Sequence, residues 1–214
     1  MEKLVIEVVS DVICPWCYIG KRRLEKALPM IQGLQAEIRW LPFQLNPDMP
    51  AGGVPREQYR KAKFGSLEHA RTLDARVAKE GCGEGIAFAF DRIARTPNTT
   101  RAHQLIELAQ KQGLGNAVVD ALFRAYFEEA RDVGDATVLQ EIAGRCGVRD
   151  WPQAADAATV AQLEESMRGL GISAVPTFVF ERKTGVSGAH PPESLAAAIR
   201  DVMRPGLSKV EAGV

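Results

Sequence analysis

The chain has 214 residues, 46% hydrophobic and 25% charged, with 27 Lys and Arg balancing 27 Asp and Glu. This is the composition of an ordinary soluble globular protein, long enough for one domain with a large insertion or for two small ones. Zero net charge gives no electrostatic footing for a nucleic-acid or anionic-membrane partner, and no window approaches the length of a membrane span.

The opening MEKLVIEVVSD has a short apolar stretch broken by Glu7 and Asp11 and no small-residue cleavage site. It does not read as a secretory signal, so a cytoplasmic location, where thiols stay reduced, is the expectation. LVIEVVS (4–10) reads as a buried strand. Cys17, Leu24, Leu28 and Ile31 then fall on one helical face. EIRWLPF (37–43), closed by the turn-like QLNPDMPAGG, is a second strand, and strand–helix–strand is most economically a parallel βαβ unit. From about 55 to 170 the period is helical. Ala102, Leu105, Ile106 and Ala109 set one apolar face. Val118, Val119, Leu122, Phe123, Tyr126 and Phe127 set another, and Leu139, Ile142, Ala143 and Cys146 a third, with Asp135 as N-cap. Gly113, Gly115 and Gly147 mark helix ends, and no strand-like alternation interrupts the block. VPTFVFE (175–181) and VSGA (186–189) read as a hairpin across KTG. Leu195, Ile199, Val202 and Met203 form a closing helix, and 205–214 reads as a loose tail. The expected fold is α/β. A discontinuous unit (1–43 and 172–204) is arranged β-α-β … β-β-α, with an all-helical domain (44–171) inserted.

Two of the four cysteines stand three apart in CPWC, between the first strand and the first helix. Pro15 suits the first helical position, which makes Cys14 the N-cap. There the helix dipole and free N–H groups stabilise a thiolate. Cys17 lies one turn on, facing the core, and such a pair suits thiol–disulfide exchange. Competing readings are a zinc site, core cysteines and a structural disulfide. Zinc lacks two further ligands at recognisable spacing, because Cys82 and Cys146 are isolated. Free cysteines do pack as small hydrophobes, and a structural disulfide fits a reducing compartment poorly. No metal and no bound cofactor are expected.

Far along the chain, GISAVPTFVF places Pro176 at the start of a strand, where an edge or bend is required. A trans bond is the commoner state. A cis Val175–Pro176 bond would leave the Val175 backbone free to pair with an extended peptide beside the cysteines.

CPWC after a first strand and VPTF opening a late strand resemble the thioredoxin superfamily. The helical block between the two halves resembles its DsbA branch. DVICPWCYIGKRRLEKAL, WLPFQLNP, PNTTRAHQL and AVPTFVF followed by VSGAHP are similar to the FrnE-like group, over about residues 4 to 203. The resemblance implies a thiol–disulfide oxidoreductase with a thioredoxin fold, Cys14 as nucleophile, Cys17 as resolving cysteine and a cis peptide before Pro176. Pro15, Trp16, Val175 and Pro176 would then border the substrate, which is a protein or small-molecule thiol or disulfide. Kappa-class glutathione transferases and 2-hydroxychromene-2-carboxylate isomerases belong to the same branch and supply the alternative function. They carry serine at the nucleophile and no resolving cysteine, so Cys14 and Cys17 depart from them. Glutathione stays open as a co-substrate, as does a binding or chaperone role without redox turnover. The expected assembly is a monomer or homodimer.

Trp16 adds no charge where DsbA's own motif has histidine, which implies a less oxidising pair, and it serves either surface packing or substrate contact. Trp40 reads as core. Cys146 reads as an inert buried thiol, Cys82 in KEGCGEG as lying in a flexible accessible turn, and His103 as structural with no partner visible. Ser187 and Gly188 precede a helix and are read either as a carboxylate site or as a plain strand end.

Overall fold

The computed structural model describes residues 2–203, with side chains from residue 4; the expected tail at 205–214 lies outside the described residues. Strand β1 (Glu2–Ser10) leads into helix α1 (Pro15–Ala27) and then β2 (Leu34–Pro42). The helices α2 (Arg56–Phe64), α3 (Leu67–Gly83), α4 (Thr100–Lys111), α5 (Gly115–Phe127), α6 (Ala136–Cys146) and α7 (Ala157–Gly169) follow. The chain returns through the hairpin β5 (Thr177–Phe180) and β6 (Thr184–Ser187) and closes with α8 (Pro192–Met203).

The sheet has the order β2-β1-β5-β6. β1 and β2 are parallel, paired Ile6 to Ile38 and Val8 to Trp40, and β1 meets β5 antiparallel, with Val8 opposite Phe178. β1 therefore lies between two strands and is buried on both faces, as its continuous apolar run requires. Leu4, Ile6 and Val8 join a large apolar cluster that runs into Leu105, Leu122, Phe123 and Leu139 of the helices. Val9, on the opposite face, packs with Leu41, Phe43 and Met167. Glu7 is the exception in the strand, and its carboxylate accepts two hydrogen bonds from Arg182, at 2.9 and 2.7 Å.

Three expectations change. α1 ends at Ala27, and Leu28–Met30 tighten into a 3₁₀ turn because Pro29 has no N–H to continue the α-helical ladder. The helical block does contain strand pairing: Val54–Pro55 (β3) pairs with Arg95–Thr96 (β4), two residues each and too short for alternation to show. KEGCGEG is no flexible turn at Cys82. α3 runs through Gly81 and Gly83, and glycine at 81 makes room for packing, since a Cβ there would sit 2.3 Å from the Phe88 ring. Asp135 caps α6 through hydrogen bonds from Thr137 N and Val138 N, and Gly147 closes that helix in the left-handed conformation.

Candidate active site

The turn that presents the cysteines is closed by backbone. Cys14 N donates to Asp11 O at 3.0 Å, and Cys17 N donates to Cys14 O at 3.0 Å. Cys14 is the N-cap of α1 with extended dihedrals, and Pro15 occupies the first helical position. All four cysteines are free thiols. Trp16 stands out from the surface at 40% exposure, while Cys17 is 1% exposed and faces the core. Burial, with the Cys14 sulfur beside it as the next cause, pushes the Cys17 thiol well above its ordinary pKa. The Asp11 backbone and the Ser10 side chain act on Cys17 in the opposite direction.

Cys14 itself is only 4% exposed. The cause is the segment before β5: the Cys14 Sγ donates to Val175 O at 3.7 Å, across 161 residues of sequence. The Val175–Pro176 peptide is cis. Pro176 O accepts from Gly188 N at 2.7 Å, and Thr177 Oγ1 donates to Ala174 O at 2.8 Å, so both sides of this loop are tied down. The structure thus brings together Cys14, Pro15, Trp16, Cys17, Val175 and Pro176. Ser187 ends β6 opposite Thr177 and 3.2 Å from its hydroxyl, a plain strand end. Cys82 is exposed, in the last turn of α3; Cys146 is half-buried, with burial raising its thiol pKa.

Several residues that shape the site were not singled out from the sequence. Gly20 lies in α1 against the Pro176 loop, where a Cβ would come within 2.9 Å of Pro176 Cγ. An isolated glycine inside a helical pattern is the signal that could have found it. Asp11 is fully buried, with Oδ2 accepting from Leu45 N at 2.8 Å. His103, read as lacking a partner, has its Nε2 3.4 Å from Asp11 Oδ1. Among the described residues no group of three or more His, Cys, Asp or Glu is placed to hold a metal ion, and no helix is long and apolar enough to cross a membrane.

The DSBA-like thioredoxin domain family matches residues 5–200. A curated relative, the uncharacterized protein YwbO of Bacillus subtilis (strain 168), is 27% identical over 203 residues, spanning 92% of this chain and 96% of the relative. A solved structure described as "probable DsbA oxidoreductase SCO1869" from Streptomyces coelicolor is 33% identical with a TM-score of 0.85, covering 99% of this chain and 95% of that one. The fold also matches the cytosolic disulfide reductase DsbM from Pseudomonas aeruginosa, solved with GSH (20% identity, TM-score 0.62, covering 93% and 98%). A 2-hydroxychromene-2-carboxylate isomerase is 16% identical, with a TM-score of 0.66 and coverage of 94% and 96%. The chain belongs to the DSBA-like thioredoxin domain family.

Proposed function

We propose that the protein is a thiol–disulfide oxidoreductase of the FrnE-like type in which Cys14 attacks and Cys17 resolves. The observation that carries this is the asymmetry of the pair: two free thiols one turn apart, one at the helix N-cap beside the Val175 carbonyl, the other buried with its proton held. In the reducing direction Cys14 attacks a substrate disulfide and forms a mixed disulfide. Cys17 then attacks Cys14, closing the intramolecular bond and releasing the second substrate thiol. Pro15, Trp16, Val175 and Pro176 border the place where the substrate sulfur arrives. The Val175 backbone offers an edge for an extended peptide.

Substrates are protein or small-molecule disulfides in the cytoplasm. Glutathione is a suitable co-substrate, a reading supported by the DsbM structure solved with GSH. The glutathione-dependent isomerase reading leaves Cys17 without a task. The test is Cys17→Ser in cells: mixed disulfides should accumulate through Cys14 and disappear on reduction, while Cys14→Ser traps nothing. Equal, empty traps from both variants alongside an active wild type would refute the assigned roles.

A further inference from the structure

The helical block holds a cavity of about 410 Å³ between α2, α3 and the segment that leads into β4, a volume within the range of small-molecule sites. None of the six residues brought together at the cysteines lines it. Its walls are tied in place, since Arg56 N donates to Ala94 O at 2.9 Å and Ala89 N donates to Phe127 O at 2.7 Å. Phe88 and Phe90 stack with their centroids 4.6 Å apart. With Leu67 and Ile93 they supply apolar wall. The charged wall follows from spacing. Arg56 and Arg60 stand four apart, on one face of α2, and both line the cavity with Asp74 of α3. Arg56 Nη2 donates to Asp74 Oδ2 at 2.9 Å, and Arg60 Nη2 donates to Asp74 Oδ1.

Two guanidiniums against one carboxylate leave a surplus positive charge in these walls. The side chains of Arg56, Arg60 and Asp74 are only 12, 14 and 19% exposed, so solvent ions screen that surplus weakly. Arg60 is also incompletely bonded. Its Nη2 donates to Asp74 and to Ala70 O, while its Nε is buried with no hydrogen-bond partner. An unmet buried donor is costly, and both oxygens of Asp74 already accept from the Nη2 groups. Glu57, Arg71 and Asp91 also line the cavity but are exposed, where charges act weakly. We propose that this cavity binds a small organic monocarboxylate, its carboxylate held by Arg60 and Arg56 and its apolar body lying against Phe88 and Phe90. A single surplus charge matches a monoanion. Inorganic phosphate would leave the aromatic surface unused, and an organic cation would meet two guanidiniums. The site is independent of the roles assigned to Cys14 and Cys17.

The test is isothermal titration calorimetry of octanoate into the full reduced protein. One saturable site is expected, with affinity rising roughly fourfold per methylene from hexanoate to octanoate. 1-Octanol and octylammonium should bind about tenfold or more weakly than octanoate, because they forgo the charged hydrogen bonds. Arg60→Met keeps an unbranched stem without the guanidinium and should weaken octanoate about tenfold or more. Ala75→Trp enters the cavity from an exposed position on α3 and leaves every guanidinium in place, so it should abolish binding. A variant with both Cys14→Ser and Cys17→Ser should bind octanoate as the parent does, which separates this site from thiol exchange. The assignment is overturned by no saturable octanoate binding, by octanol or octylammonium matching octanoate, or by loss of binding in the double cysteine variant. Parental affinity in Arg60→Met or in Ala75→Trp overturns it equally, and if Arg60→Met does not fold, Ala75→Trp decides.

Discussion

Gly20 offers the sharpest test of the 175–176 loop, because local and long-range effects of the same substitution have opposite signs. In a helix interior Gly→Ala is favourable by about 1 kcal/mol. At Gly20 the new Cβ would sit 2.9 Å from Pro176 Cγ and 3.1 Å from Phe178 Cζ, where ordinary contact begins at 3.4 Å. A proline ring is fixed to its own backbone and cannot swing aside as a long side chain would. The loop or α1 must therefore yield by about 0.5 Å or more, and overpacking of this kind costs about 1–3 kcal/mol. We expect Gly20→Ala to be neutral to destabilising by about 2 kcal/mol, once the helix preference is set against the overpacking. The displaced atoms adjoin the Val175 carbonyl beside Cys14, and misplacements approaching 1 Å cost up to about a hundredfold in rate. Turnover in an insulin-reduction assay should therefore fall roughly tenfold. Gly144, also helical, has nothing within 4 Å of its would-be Cβ. Gly144→Ala should raise Tm by about 2–4 °C and leave turnover untouched. Wild-type turnover in Gly20→Ala, or a comparable loss in Gly144→Ala, would refute the reasoning.

Other outcomes follow from the buried groups. The raised Cys17 pKa means the folded, reduced protein keeps a proton that the unfolded chain loses once pH passes the ordinary thiol value of 9.0. Stability of the reduced form should then fall between pH 9 and 10 by up to about 1.4 kcal/mol per unit relative to Cys17→Ala; parallel urea curves for the two would contradict it. Tyr18 and Tyr126 are also raised, from 10.0, so their contribution of the same sign begins above that window. Gln110→Leu removes the amide that bonds both Trp40 N and Trp40 O, and should cost about 1–2 kcal/mol in a urea melt with Cys14 reactivity preserved. Iodoacetamide should alkylate Cys14 well before Cys17, read by mass spectrometry; equal labelling would remove the asymmetry on which the roles rest.

The elements legible in the sequence were those whose pattern is set by one dominant contact surface. The run from Leu4 to Val9 in β1 is apolar apart from Glu7 because both faces of the strand are packed, and α4, α5 and α6 show their core faces as clean helical spacings. Boundaries were less legible where an element meets solvent. β2 begins at Leu34 rather than 37, because on a sheet edge its first half is largely exposed and carries no alternation. β5 stops at Phe180 because Glu181 and Arg182 adopt φ of 52 and 54° to turn the hairpin, a conformation neither residue type announces. The sheet edge itself is closed by a side chain: Gln110 stands in for a neighbouring strand at Trp40, and nothing in either local stretch signals that pairing.

The candidate site divides along the same physical line. Pro15 and the CPWC spacing are local, so the N-cap position of Cys14 and the inward turn of Cys17 could be read directly. Access to Cys14 is not local. The N-cap places its sulfur at the end of α1, but a carbonyl 161 residues away decides how much of it solvent reaches. The approach of that carbonyl depends in turn on the missing side chain at Gly20. A helix-terminal thiol pair can thus be located from sequence, whereas the loop that covers the attacking sulfur is a product of tertiary contact. Gly20→Ala should accordingly slow substrate approach to Cys14 while leaving Cys17 as buried as before.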